Sequence, residues 1–451
     1  MKTKFVSARR VLLSAFFAMA LTVVPATGLL AQAAADPSAD ISGLNMSPGA
    51  DGRELGFAWF SKTQAQKPMV QVAAAADMTG TGFPAAKAEI FTGTSIKVTA
   101  TAFNSDDKTM SLDVWADKVK VTGLVDSMDY IYRVGDGKAW SPVYGFSTRS
   151  QKSFGFLVVG DPQLGAKSTG PKTLESDTAG WRVTLSKATA AFPDASFLVC
   201  LGDEVNDYNK IDTQDAEYAA FFSPDQLRSL PMATVNGNHD FQMGEYYGYH
   251  YNQPNLSTQY GVSYGNDGDY WFIYGNVLFL MLNSNTESVA THDIFIRDAV
   301  AKNPGAKWRI ACFHHSVFSE ADHFADPDVI DRRTNYPPVF ERYKIDVVLS
   351  GHDHSYTRTL PILDGKPVDG VDASADSISN PKGVVYFTLN SGSGSKFYDW
   401  KDATPEVFSA ARWQGKVPSF SYVDISGNRL TVSTMRTDDM SIVDSYSIIK
   451  D

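Results

Sequence analysis

Five short apolar runs, each closed by a cluster of Gly, Asp, Asn or His, constrain the fold of this chain more than any other feature. Phe154 to Val159 leads into Gly160-Asp161-Pro162-Gln163, and Phe197 to Leu201 into Gly202-Asp203-Glu204. Met232 to Val235 is followed by Gly237-Asn238-His239-Asp240, Trp308 to Phe313 by His314-His315, and Val347 to Leu349 by Gly351-His352-Asp353-His354. Runs this short and this apolar read as strands buried on both faces. With a sixth run, Val277 to Leu282, and the amphipathic segments Trp181 to Phe192 and His292 to Ala301, they predict a layered α/β domain over residues 153–450. Open α/β sheets place ligand sites just beyond strand carboxyl ends, and Gly lets the backbone turn sharply there. Five polar clusters so placed are expected to converge on one crevice.

From residue 40 to 150 the pattern is different. Phe57 and Trp59, Val70 and Val72, Ile96 and Val98, then Val119 and Val121 recur at period two between Gly, Asn, Asp and Ser turns, which predicts a small all-β sandwich. The stretch Leu124 to Val134 looks like the tyrosine corner of fibronectin type III domains, with Tyr130 bonding back to upstream backbone, and Asp136-Gly137 turns the chain toward Tyr144-Gly145-Phe146. No residue in this part carries chemistry, so it reads as a structural or docking module. The segment Asp364 to Pro381, rich in Asp, Gly, Ser and Pro, reads as a surface loop of the second domain.

The chain begins with Lys2, Lys4, Arg9 and Arg10, then the apolar run Val11 to Leu30, then Ala31-Gln32-Ala33. This is the form of an export signal over residues 1–33, cleaved after Ala33, and it predicts a periplasmic or extracellular protein with no membrane span once the signal is removed. A retained anchor helix is the competing reading, disfavoured by Pro25 and Gly28; the Arg9-Arg10 pair also faintly resembles a twin-arginine signal. The formal charge is −11, and the basic start leaves −15 on the remainder, which argues against a nucleic-acid or anionic-membrane surface. The two cysteines, Cys200 and Cys312, lie inside apolar strands and read as buried free thiols.

Singly, the polar clusters are the ordinary material of turns and caps. Together, two Asp, one Asn and several His beyond buried strands would leave a costly set of unpaired polar groups unless a cation satisfied them. That ordered set resembles the calcineurin-like metallophosphoesterase superfamily, nearest its purple acid phosphatase branch, whose members also carry a fibronectin-like N-terminal domain. The resemblance implies a double β-sandwich of mixed sheets flanked by helices (α/β/β/α) holding two metal ions. Asp161 and His354 would bind the first, Asp203 would bridge both, and Asn238, His314 and His352 would bind the second. The N/O donor set suits divalent Zn, Mn or Fe, and two such ions can hold a hydroxide between them and clamp phosphoryl oxygens for in-line displacement. His239, beside Asn238, would be the general acid toward the leaving oxygen.

The chain departs from the family at two places and agrees with it at a third. Asn206 stands where purple acid phosphatases carry the iron-binding Tyr, which predicts a colourless protein with two divalent ions and leaves Tyr208 too far along the loop to substitute. Gln163 stands where many members have a metal-binding His, and its carbonyl joins the predicted ligands. His323, nine residues after His314, lies where the purple enzymes have a histidine near the phosphate, so it joins the catalytic set; the other reading is a surface histidine in the acidic Asp322 to Asp328 loop. Arg332 and Arg333 could help hold phosphate but read more simply as solvated surface charges, and His315 reads as a support for the ligands rather than one of them. The expected activity is hydrolysis of small phosphate esters, most simply phosphomonoesters. A phosphodiesterase on the same metal core and a non-catalytic phosphate- or partner-binding surface module are the alternatives.

Overall fold

The computed structural model describes residues 40–99, 101–103, 106–166, 174–240, 246–263 and 268–451. The export signal expected over residues 1–33 lies outside them. Among the described residues no helix is long and apolar enough to cross a membrane.

The N-terminal part is a sandwich of two four-stranded antiparallel sheets. One runs in the order Ile41–Pro48, Leu55–Ser61, Trp115–Val121, Thr94–Lys97, and the other Tyr144–Ser147, Asp129–Gly135, Met69–Ala74, Glu89–Thr92. Alternation explains the core: Phe57, Trp59, Val70, Val72, Val119, Val121, Tyr132 and Phe146 point inward between the sheets. Ile96 departs from the pattern, being 47% exposed on an edge strand. The Tyr130 hydroxyl accepts the Val125 backbone N–H at 2.8 Å, which closes the expected corner.

The second part is two seven-stranded mixed sheets packed face to face, with helices outside. The first sheet carries Met232–Thr234, Leu198–Cys200 and Ser153–Val159 in parallel, followed by the antiparallel strands Ser419–Ser426, Arg429–Arg436 and Ile442–Ile449, with Ser377–Ser379 at the edge. In the second sheet Val277–Met281, Trp308–Cys312, Val347–Ser350 and Val385–Thr388 run parallel. The double-sided hydrophobicity of these strands has a direct cause. Phe154, Phe156 and Val158 face the core between the sheets, whereas Leu157 and Val159 face the helices Leu174–Ala191 and Ile211–Phe221. In the second sheet Val277, Phe279 and Met281 face inward, and Leu278, Leu280 and Leu282 face the helices Val289–Lys302 and Pro327–Arg342. Cys200 belongs to the helix-side core and Cys312 to the core between the sheets; both are buried and free.

Parts of the sequence reading are corrected here. Arg332 is not a solvated charge: it is 2% exposed, because helix Pro327–Arg342 lays it against the second sheet, where Nε and Nη2 donate to Ser284 O at 2.9 and 2.6 Å and Nη1 donates to Asp328. Arg333 stacks its guanidinium 4.3 Å above the Phe324 ring centroid and donates to Phe324 O. The Asp364 to Pro381 stretch, largely exposed, nevertheless pairs Lys366–Pro367 with Ile362–Leu363 and adds Ser377–Ser379 to the first sheet.

The two parts are joined by hydrogen bonds from sandwich side chains to backbone carbonyls of the second part. Asn45 Nδ2 donates to His250 O at 2.8 Å, Lys118 Nζ to Gly248 O at 2.7 Å, and the Tyr132 hydroxyl to Arg228 O at 2.8 Å. The His250 ring packs 3.9 Å from Tyr218 and 4.9 Å from Phe60 of the sandwich.

Candidate metal centre

The parallel strands of both sheets end at the same crevice, and a parallel bridge from Gly160 to Ser391 ties the two edges there. The loops that follow these strands carry backbone strain. Asp161, Gln163, Asp203, His352 and His354 all have positive φ, between 36° and 70°. Non-glycine residues enter this region at a cost of order 1–3 kcal/mol each, and such strain persists where the surroundings dictate it. Glycines supply the room. A Cβ on Gly237 would lie 2.2 Å from Asp203 Oδ1, and one on Gly351 would lie 2.4 Å from Asp161 Oδ2.

The side chains so placed meet closely. One ligand atom each from Asp161, Asp203 and His314 lies within 4.8 Å of the others. Asp161 accepts the His352 backbone N–H at 2.8 and 2.9 Å, and its Oδ1 lies 3.6 Å from His354 Nε2. His314 Nδ1 lies 2.9 Å from Leu201 O and His354 Nδ1 lies 3.0 Å from Lys396 O; since a carbonyl only accepts, each Nδ1 carries the proton and each Nε2 a lone pair. His314 Nε2 is then 2.9 Å from Asn238 Oδ1, 3.4 Å from Asp203 Oδ1 and 3.0 Å from His352 Nδ1. A lone pair facing two acceptor oxygens at these distances is an arrangement that a cation between them would satisfy. Burial lowers the pKa of His314, as it does for His352 and, down to about 3, for His354. Gln163 is 1% exposed, its Nε2 lies 3.5 Å from Asp203 Oδ2, and its Oε1 has no hydrogen-bond partner. The donor set is nitrogen and oxygen throughout, a fit for borderline divalent metals.

Residues 154–356 match the calcineurin-like phosphoesterase family, and residues 41–148 match the purple acid phosphatase N-terminal domain. The chain carries a calcineurin-like phosphoesterase domain behind a purple acid phosphatase N-terminal domain. A purple acid phosphatase from yellow lupin seeds superposes with a TM-score of 0.71 over 92% of this chain and 75% of that one at 15% identity, and PhoD with 0.56 over 91% and 90% at 12%. At those identities the likeness concerns the fold. Acid phosphatase type 7 of Danio rerio is 22% identical over 65% of this chain and 68% of its own length. An uncharacterised Mycobacterium tuberculosis protein is 31% identical over 20% of this chain, a match that spans only 18% of that relative's length.

Within the phosphoesterase domain the remaining candidates line the crevice. His239 is half-buried; its backbone N–H donates to Asp203 Oδ1 at 2.9 Å, and its Nδ1 lies 2.5 Å from Asn206 O. His323 stacks on His352 with centroids 4.1 Å apart, its Nδ1 2.7 Å from Asp326 Oδ2. His315 is buried with Nδ1 2.8 Å from Ser284 Oγ, its ring 4.6 Å from that of His352.

Burial, then the Asp203 charge, pushes Asp161 well above the usual carboxylate range. For Asp203 burial acts the same way, but His314 and His239 outweigh it and the net shift is downward.

Sequence reasoning missed several supporting residues. Asp240 accepts the Gly237 N–H at 2.9 Å and the Glu204 N–H at 3.1 Å, so it ties the Asp203 loop to the Asn238 loop; its place in Gly-Asn-His-Asp was the available signal. Asp353 accepts the N–H groups of Ala321 and His323, each at 2.8 Å. Tyr398 carries no sequence signal. Its hydroxyl lies 3.3 Å from His323 Nε2, and its ring centroid lies 5.1 Å from that of His354.

Proposed function

We propose that this protein is an exported phosphoesterase that hydrolyses phosphate monoesters at a pair of divalent metal ions. The observation that carries the reading is the His314 Nε2 lone pair turned toward Asn238 Oδ1 and Asp203 Oδ1 beside an accessible His239. Asp161, His354 and the Gln163 carbonyl would hold one ion, Asn238, His314 and His352 the other, with Asp203 shared between them. Bound there, zinc, manganese or ferrous iron supplies Lewis acidity toward the phosphoryl oxygens and lowers the pKa of water.

The chain's own residues do the rest. The Asn206 carbonyl fixes His239 Nδ1–H, so Nε2 is the nitrogen that hands a proton to the leaving oxygen. Asp326 fixes His323 in the same way, so that its Nε2, when the ring carries a second proton, donates to a phosphoryl oxygen alongside the Tyr398 hydroxyl. The Asn206 side chain replaces a metal-binding phenol, so divalent ions and a colourless protein are expected. Export follows from residues 1–33, with the mature chain starting at or near Ala34. Turnover of para-nitrophenyl phosphate against bis-para-nitrophenyl phosphate tests the reading: the monoester is preferred, a preference for the bis-ester makes the enzyme a diesterase, and turnover of neither makes it a binding module.

A further inference from the structure

The loop after Asp203 is anchored firmly for a surface loop. Glu217 Oε2 accepts the backbone N–H groups of Asn206 and Asp207 at 2.9 and 2.7 Å, and Asp207 Oδ1 accepts those of Asn209 and Lys210 at 2.7 and 2.8 Å. Lys210 pairs with Asp107, which reaches across from the sandwich domain. Held from three sides, this turn presents Tyr208. The side chain is 38% exposed, yet its ring centroid lies 5.2 Å from that of His239 at an interplanar angle of 71°. A large aromatic residue kept half in solvent on an immobilised turn, in contact with the imidazole that faces the leaving oxygen, has the properties of a binding surface. It offers wide contact area at little conformational cost, because only two side-chain torsions need fixing.

We infer that Tyr208 is a platform for the leaving group, and that the site favours phosphate monoesters of aromatic alcohols over those of alkyl alcohols. The inference rests on the reading of His239 as the acid toward the leaving oxygen. A leaving oxygen within hydrogen-bond reach of His239 Nε2 brings the first ring of an aryl alcohol within contact range of a side chain whose centroid is 5.2 Å from the imidazole. An ethyl group is too small to reach the same surface. An aromatic pair of this kind is worth roughly three- to tenfold in kcat/KM.

The test is the ratio of kcat/KM for 2-naphthyl phosphate to that for ethyl phosphate, measured on the metal-loaded full chain and on Tyr208→Leu and Tyr208→Phe. The esters' intrinsic reactivities cancel when the ratio is compared between variants. Tyr208→Leu should lower the ratio roughly three- to tenfold, and Tyr208→Phe should hold it within about twofold of wild type. An unchanged ratio in Tyr208→Leu, whether both esters fall together or neither does, overturns the platform and leaves the phosphatase reading standing. Wild-type protein that turns over neither ester overturns the phosphatase reading, and the platform with it.

Discussion

The sandwich and the phosphoesterase domain solve the same folding problem with opposite tolerance for strain. Of the thirteen non-glycine residues with positive φ among those described, the sandwich holds two, Asp107 and Ser127, neither of them in its inward-facing core. The metal crevice holds five, all at predicted ligand positions. The sandwich buries mainly aromatic and aliphatic side chains with a few separate polar groups such as Asn45 and Asp117, while the crevice buries two carboxylates, three imidazoles and an amide beside one another. A chain that folds only for stability has no reason to gather such groups. The contrast therefore separates scaffold from site without reference to any relative.

Two substitutions probe that separation from opposite sides. His239→Ala should lower kcat roughly 10² to 10⁴-fold while the protein keeps its metal and its unfolding midpoint, as loss of a general acid predicts. Steady-state kinetics with elemental analysis reads both, and a variant of normal turnover would return His239 to the scaffold. Phe57→Ala, at a fully buried position of the sandwich core, should cost about 3–5 kcal/mol in urea denaturation, with activity per folded molecule unchanged. A fall in the activity of the folded fraction would show that the sandwich shapes the site.

A smaller effect tests the joint between the domains. Burial, and then Lys118, lowers the pKa of His250 to about 3. The folded pKa lies below the unfolded value near 6.5, so the unfolded chain takes up the extra proton. Stability is then full above pH 6.5 and falls by about 1.4 kcal/mol per pH unit toward pH 3. His250→Phe keeps the ring among Phe60, Tyr218 and Phe222 and should lose that one-proton slope when unfolding is measured between pH 7 and pH 4.5. An identical slope in the variant would place the acid sensitivity elsewhere.

The difference between the regions also explains what the sequence made legible. Asp161, Asp203, Asn238, His314, His352 and His354 could be read because each follows an apolar strand closely, a local pattern with a geometric consequence. Arg332 could not, because its helix opens on acidic residues and contains Pro337 and Pro338, which read as breakers; burial of Val329, Tyr336 and Phe340 holds the helix regardless. Tyr398 lies in an irregular segment and reaches His323 only through tertiary folding. Tyr208 reads as too far along its loop to serve as a metal ligand; it meets His239 on a turn that Glu217 holds by accepting the Asn206 and Asp207 N–H groups, a contact that spacing alone does not show.

The central claim is that the strained, acceptor-rich crevice exists to hold metal for phosphoester hydrolysis. Elemental analysis of the dialysed wild-type chain and of Asp203→Ala, paired with turnover of para-nitrophenyl phosphate on the same samples, tests it most directly. Two divalent ions per wild-type chain, with metal and turnover lost together in Asp203→Ala, is the predicted result. Full turnover by a wild-type chain stripped of metal, or by Asp203→Ala, would contradict it.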